Sequence, residues 1–168
     1  NNEAKNLVNR PLTLDWDWLR EEVKVHGMRN SVLSAQMPVE SSSMVTNSTN
    51  GLEAPRELVT VKTNKSGAST VMVVPDGKKL ASKYTLSWDI TSNSCINKIT
   101  AVVQKWLDQA ISVNHYYNPT LFEGNQIPAK VIIKDIVEFY KLGGKNLYYA
   151  STLDAIEIEM EDCESCKL

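Results

Sequence analysis

The chain has 168 residues, of which 42% are apolar and 23% are charged, a composition typical of one globular domain. Its 18 basic and 20 acidic residues leave a formal net charge of −2, which indicates no general affinity for nucleic acid or anionic membranes. No apolar run approaches the roughly 20 residues that span a bilayer, and the start of the chain does not resemble a signal peptide. Three cysteines are too few for the disulfide framework of a secreted domain, so we expect a cytoplasmic protein.

The first predicted element is a short helix. Asp15 is placed to cap its start, and Gly27 is placed to end it. Apolar side chains recur between them at the spacing of one helical face, at Trp18, Leu19 and Val23.

A hydroxyl-rich stretch, 29–51, comes next and has the pattern of neither a strand nor an ordinary helix. The runs LVTVKT (58–63) and TVMVVP (70–75) then flank a turn that contains Gly67. Because both runs are rich in β-branched residues, they predict an antiparallel hairpin.

The second half of the chain alternates between helix and strand patterns. A helix is predicted over 96–110, a buried strand over 111–114, a helix from Pro128 to Gly143, and a strand over 146–150. The apolar face predicted for the first of these helices consists of Ile96, Ile99, Val103, Trp106 and Ala110.

Helices that alternate with strands across short connections indicate an α/β fold with a parallel sheet. Only two or three such strands are visible, and so small a sheet would expose an apolar edge. The chain also begins with Asn1, and its first methionine is Met28. We therefore expect a piece of a longer polypeptide.

The chain ends in an acidic stretch, 151–168, that carries a C-x-x-C pair, Cys163 and Cys166. A zinc site would need two more ligands, and Cys95 and the two histidines lack finger-like spacing. In thioredoxin-like proteins such a pair opens a helix after a strand, whereas here it lies on the tail. A dithiol on a mobile tail can instead exchange with a disulfide elsewhere, and the alternative is a pair of incidental surface cysteines.

Two further stretches have both a functional and an ordinary interpretation. In MPVESSS (37–43), a proline beside serines leaves backbone N–H groups and hydroxyls free for phosphate, or simply caps a helix. Tyr148 and Tyr149 lie on the last predicted strand, where adjacent side chains normally face opposite sides. A redox relay would need the two rings to touch, and hence a departure from regular strand geometry.

The order of the motifs RNSVLSAQMPVESSS, TNSTNGLEAPR, DQAISVN, KNLYYAST and CESCKL resembles the C-terminal end of the large, catalytic subunit of class I ribonucleotide reductase. The resemblance runs from about Leu14 to Leu168. It implies that residues 1–150 form the C-terminal part of a ten-stranded α/β barrel, with a hairpin, and that 151–168 form a flexible redox tail.

The resemblance also implies roles for particular residues. The family motif MPxE[ST]SS binds the phosphates of a nucleoside diphosphate, and Pro38, Val39, Glu40, Ser41 and Ser42 match its positions. Val39 departs from the serine often found there, so only its backbone N–H is expected to contribute.

Tyr148 and Tyr149 match the tyrosines that pass a radical from the small subunit towards the active site. Cys163 and Cys166 match the pair that re-reduces the active-site disulfide and is itself reduced by thioredoxin or glutaredoxin. Relatives in bacteria can have a longer gap between these cysteines. No metal is expected in this chain, whereas the small subunit is expected to hold a dinuclear metal centre and a radical.

No segment resembles the family's thiyl-forming cysteine, its neighbouring glutamate and asparagine, or its nucleotide-sensing region. The chain is therefore expected to act only with the N-terminal portion of the large subunit, either as one of the two polypeptides of a split subunit or as a shortened form of a single chain. An alternative of another class is a non-catalytic thiol-redox adaptor that uses the tail pair. A third and less specific alternative is an interaction module.

Overall fold

The computed structural model describes residues 11–39, 42–63, 67 and 69–153. The helices in this part are α1 (Trp16–His26), α2 (Ser42–Thr46), α3 (Gly77–Leu80), α4 (Ser94–Gln104) and α5 (Ala129–Lys141). The strands are β1 (Val59–Thr63), β2 (Ser69–Val73), β3 (Ser112–Tyr117) and β4 (Asn146–Thr152). Short 3-10 turns cover Ala81–Lys83, Ser87–Asp89, Pro119–Leu121 and Glu123–Asn125.

Helix α1 has the ends that the sequence predicts. The Trp18 N–H donates to Asp15 Oδ1 at 2.9 Å, which satisfies one of the amides that a helix start leaves open. Gly27 ends the helix at φ +73°, a left-handed conformation that glycine adopts without a steric penalty. Both predicted boundaries of this helix are confirmed.

Strands β1 and β2 pair antiparallel, with Val61 opposite Val71. They fall where the hairpin is predicted, and most of the turn between them lies outside the described residues. The apolar side chains of this pair are largely exposed.

Strands β3 and β4 form a separate parallel pair, and helix α5 connects them. Alternate side chains of β3, Val113, His115 and Tyr117, are buried. The apolar core lies on this face and consists of Ile96, Ile111, Val113 and Phe139. Helices α4 and α5 pack against each other, so the second half of the described chain is a small α/β unit.

The predicted apolar face of α4 is wrong in part. Ile96 is buried, but Ile99 is 48% exposed and Trp106 lies beyond the helix and is 53% exposed. The buried side of the helix is instead largely polar, with Asn97, Thr100 and Gln104.

Gln104 explains why α4 ends six residues before the predicted end. Its Nε2 donates to the carbonyls of Leu107 and Gln109 at 3.0 and 2.7 Å, and its Oε1 accepts from the Ile111 N–H at 2.9 Å. These bonds fix a turn that leads directly into β3.

The two strands of the parallel pair are longer than predicted. Strand β3 continues to Tyr117, and β4 continues to Thr152, two residues beyond its predicted end and into the predicted tail. The described residues contain two sheets of two strands each, so the ten-stranded barrel stays a prediction. Within the same residues, none of the helices combines the length and apolar character needed to span a bilayer.

Candidate functional site

The predicted tyrosine pair lies on β4, and its two rings are in contact. The ring centroids are 4.2 Å apart at an interplanar angle of 59°. The Tyr149 hydroxyl points at the Tyr148 hydroxyl, with the oxygens 3.4 Å apart. Both side chains are more than half exposed.

A β-bulge accounts for this contact between adjacent strand residues. Val113 pairs with Leu147 and His115 pairs with Ala150, so Asn114 alone stands opposite the two tyrosines. A bulge of this kind inserts one extra residue, bends the strand and redirects its side chains. The backbone therefore departs from regular strand geometry at the position where the relay interpretation needs it to.

Asn114 holds the bulge through its side chain. Its Oδ1 accepts from the Tyr149 N–H at 3.1 Å, and its Nδ2 donates to Glu53 Oε1 at 2.9 Å. The other oxygen of Glu53 accepts from the Tyr116 hydroxyl at 2.6 Å. Burial and this neighbouring carboxylate both raise the pKa of Tyr116.

The predicted phosphate-binding segment is described only in part. Glu40 and Ser41 lie outside the described residues, whereas Pro38, Val39 and Ser42 are exposed. Val39 has φ +45°, an unfavourable conformation for a β-branched residue. Its carbonyl accepts from the Ser43 N–H at 3.0 Å, which closes the first turn of α2.

Ser43, the last serine of this segment, points inwards. It is 2% exposed, and its hydroxyl donates to Asn50 Oδ1 at 2.7 Å. The segment thereby folds back on the stretch that leads to Glu53, and the carbonyl of Pro38 faces Gly51. Glu53, which accepts from Asn114 at the bulge, follows Gly51 by two residues along the chain.

The predicted redox pair, Cys163 and Cys166, lies outside the described residues, as does the acidic tail from 154 onwards. Cys95 is an exposed free thiol. In the described ranges, no three His, Cys, Asp or Glu side chains cluster in a way that could hold a metal ion.

Sequence reasoning missed a buried polar network between α4, α5 and β3. Asp135 is 1% exposed and accepts from Ser92 Oγ at 2.7 Å, from the Asn93 N–H at 2.9 Å and from Asn93 Nδ2 at 3.0 Å. Asn97 Nδ2 donates to the Asp135 carbonyl and to Glu138 Oε2. A signal was present in the four-residue spacing of Asn93 and Asn97 along one helix face.

His115 completes this network at the core face of β3. Because Asn97 uses its Nδ2 as a donor twice, its Oδ1 must accept the 2.8 Å bond from His115 Nε2. His115 Nδ1 is then left to accept from the Tyr117 hydroxyl, 3.4 Å away. Burial lowers the pKa of His115, and the charges of Asp135 and Glu138 offset only part of that effect.

Comparison with known proteins gives a consistent result. A family model described as ribonucleotide reductase, barrel domain, matches residues 2–78 and 74–150. The ribonucleoside-diphosphate reductase subunit alpha of Buchnera aphidicola subsp. Acyrthosiphon pisum is 46% identical over 152 residues, which are 90% of this chain and 20% of the relative. The ribonucleoside-diphosphate reductase 1 subunit alpha of Escherichia coli K12 is 41% identical over 177 residues, covering 99% of this chain and 23% of the relative.

The same relationship extends to a virus. The ribonucleoside-diphosphate reductase subunit alpha of Enterobacteria phage T4 is 41% identical over 178 residues, covering 100% of this chain and 24% of the relative. The α/β unit with its paired tyrosines thus sits within a family of oxidoreductases. The chain belongs to the ribonucleotide reductase barrel-domain family, which confirms the resemblance found in the motifs.

The chain spans about a fifth of the length of the curated relatives it matches. The part that it matches is their C-terminal portion.

Proposed function

We propose that the chain supplies the C-terminal part of a class I ribonucleoside-diphosphate reductase large subunit. In this role it contributes substrate phosphate binding, tyrosine radical transfer and re-reduction by the tail dithiol to the conversion of ribonucleotides to deoxyribonucleotides. The observation that carries the proposal is the contact of Tyr148 and Tyr149 at the β4 bulge, in a chain of this family.

The proposed relay step moves one electron and one proton together. An oxidant on the small-subunit side takes a hydrogen atom from one tyrosine, which becomes a neutral tyrosyl radical while the oxidant is reduced. The second tyrosine then gives its phenolic hydrogen atom to the first and carries the radical onwards. Hydroxyl oxygens 3.4 Å apart are suitably close for this exchange, and no charge has to be separated between the rings.

The proposed phosphate site is formed by Pro38, Val39, Glu40, Ser41 and Ser42. The exposure of Pro38, Val39 and Ser42 leaves this segment accessible to a nucleoside diphosphate. The positive φ of Val39 supports the proposal, because strained backbone concentrates at binding segments. Ser43 is not included, since it is buried and bonded to Asn50.

The proposed tail step is a thiol–disulfide exchange between Cys163 and Cys166 and the active-site disulfide. One tail thiolate attacks that disulfide, the second resolves the mixed disulfide, and the active-site pair leaves as two thiols. The tail is then oxidised, and thioredoxin or glutaredoxin supplies the two electrons that restore its dithiol. The other partners proposed are the N-terminal portion of the large subunit and a cytoplasmic small subunit with a dinuclear metal centre and a radical.

Tyrosine variants test the proposal in the assembled enzyme. We expect Tyr148→Phe and Tyr149→Phe each to abolish deoxynucleotide formation, because phenylalanine keeps the ring but has no phenolic hydrogen atom. Tyr140→Phe is the matched control, since Tyr140 is 80% exposed on α5 and is outside the relay. Retained turnover in either relay variant would overturn the assignment.

A further inference from the structure

The contact between the two tyrosine rings depends on the register of β3 and β4. Without the extra residue of the bulge, adjacent residues of β4 would point to opposite faces of the sheet. The extra residue also leaves the regular ladder of hydrogen bonds locally disrupted. Something must therefore hold the bulged backbone in place at Tyr149.

Asn114 meets that need, because it is the single β3 residue opposite the bulge. Its backbone N–H and its Nδ2 both donate to Glu53 Oε1, at 3.2 and 2.9 Å. Because Nδ2 donates to a carboxylate, the amide is oriented so that Oδ1 faces the Tyr149 N–H.

Glu53 in turn is held at both of its oxygens. One oxygen accepts from Asn114, and the other accepts from the Tyr116 hydroxyl two residues further along the same side of β3. Hydrogen bonds to a charged acceptor are among the stronger ones. Trp88 packs edge-on against the Tyr116 ring at 5.2 Å and limits its movement.

We propose that Asn114 and Glu53 are positioning residues for the tyrosine relay: they fix the β4 bulge and thereby keep the Tyr148 and Tyr149 hydroxyls close enough for hydrogen-atom transfer. This inference rests on the proposed function and extends it to two residues that touch neither substrate nor radical. They act through the Tyr149 backbone alone.

The first test compares Asn114→Ala with Asn146→Ala in the assembled enzyme. Asn146 is a matched control, because its side chain also bonds across the same strand pair, to Ser112 Oγ at 3.1 Å, but away from the bulge. A misplacement of about 1 Å at a reacting group can cost roughly 100-fold in rate. We expect kcat to fall about 10- to 100-fold in Asn114→Ala, with an unchanged KM, while Asn146→Ala keeps normal turnover.

Hydrogen exchange supplies a readout that does not depend on turnover. In Asn114→Ala the Tyr149 amide loses its side-chain acceptor, so a peptide that contains Tyr149 should exchange faster in the intact complex. The same peptide in Asn146→Ala should exchange at the wild-type rate.

A rescue experiment separates positioning from a general loss of structure. Asn114→Asp keeps an acceptor for the Tyr149 N–H but sets a second carboxylate against Glu53, so turnover should fall. Adding Glu53→Gln removes the repulsion between the two carboxylates, although the backbone N–H of residue 114 then loses its carboxylate acceptor. Turnover should therefore recover in part, by about threefold or more relative to the single Asn114→Asp variant. Such recovery is a coupling between two contacting residues.

The outcomes distinguish this inference from the function on which it rests. If Tyr148→Phe and Tyr149→Phe are inactive but Asn114→Ala resembles Asn146→Ala in kcat and exchange, the positioning role is overturned and the relay survives. If the phenylalanine variants are active, the relay assignment is overturned, and the positioning role is overturned with it. Loss of kcat in Asn114→Ala, together with rescue of Asn114→Asp by Glu53→Gln, supports both.

Discussion

At the scale of single residues, Gly144 shows how closely the chain packs. A Cβ atom at this position would overlap the ring of Phe139, which is 4% exposed in the core. Overpacking of this kind typically costs 1 to 3 kcal/mol. We expect Gly144→Ala to lower the free energy of unfolding by about 2 kcal/mol, as measured by urea denaturation.

A double variant checks that the effect comes from the ring. If the clash with Phe139 is the cause, Gly144→Ala should lower the free energy of unfolding by clearly less in a Phe139→Leu background, since leucine leaves room for the methyl group. An equal cost in both backgrounds would place the strain elsewhere.

His115 is the second residue with a measurable consequence. Burial lowers its pKa below the ordinary value of 6.5, so at mildly acid pH the unfolded chain binds more protons than the folded one. The stability that neutral His115 provides is therefore fully present above pH 6.5 and is lost as the pH falls below that value.

Denaturation midpoints between pH 7.5 and pH 5.5 test this sign. We expect His115→Gln, which cannot titrate, to lose less stability over that range than the wild-type chain. A loss of stability in His115→Gln that equals or exceeds that of the wild-type chain over the same range would contradict the assignment.

At the scale of elements, Asp135 joins the start of α4 to α5. Removing its carboxylate would leave the buried Asn93 N–H without an acceptor, leave Asn93 Nδ2 with only the Tyr116 carbonyl, and remove the acceptor of the half-buried Ser92 hydroxyl. Unsatisfied buried donors cost about 1 to 3 kcal/mol each.

We therefore expect Asp135→Ala to lower the free energy of unfolding by roughly 3 to 5 kcal/mol in urea titrations. Asp17→Ala removes an exposed carboxylate that pairs with Arg20, and it should cost less than about 1 kcal/mol. A small effect of Asp135→Ala would show that water readily replaces the carboxylate.

The same elements show what sequence can and cannot predict. The ends of α1 were predictable because Asp15 and Gly27 act on their own local backbone. The buried face of α4 was not, because Asn97 and Gln104 face inwards only when their partners are in place. Those partners, Glu138 and Ile111, come from other parts of the fold.

The candidate site likewise has one part that could be predicted from the sequence and one part that could not. Adjacent tyrosines could be identified as a possible relay from their identity and from the family motif. The bulge that brings them together depends on the pairing of β3 with β4, and its anchor joins Glu53 to Asn114 across 61 residues. No local pattern in the chain encodes a contact of that separation.

At the scale of the whole molecule, apolar surface remains exposed on both helices of the α/β unit. Helix α5 presents a stripe of exposed apolar side chains at helical spacing, made up of Ile133, Ile136 and Val137. Parallel sheets are normally covered on both faces, which two strands and two helices do not achieve alone. In the proposed assembly, the rest of the large subunit covers these surfaces.

The measurement that tests the proposed function most directly is reconstitution. The chain is mixed with the N-terminal portion of the large subunit, a radical-bearing small subunit, a nucleoside diphosphate and a reductant, and deoxynucleotide formation is assayed. We expect product only in the complete mixture. Cys163→Ser should lose activity with thioredoxin or glutaredoxin but keep it with a small dithiol that bypasses the tail. A complex that assembles yet forms no deoxynucleotide, even with the small dithiol, would contradict the proposed function.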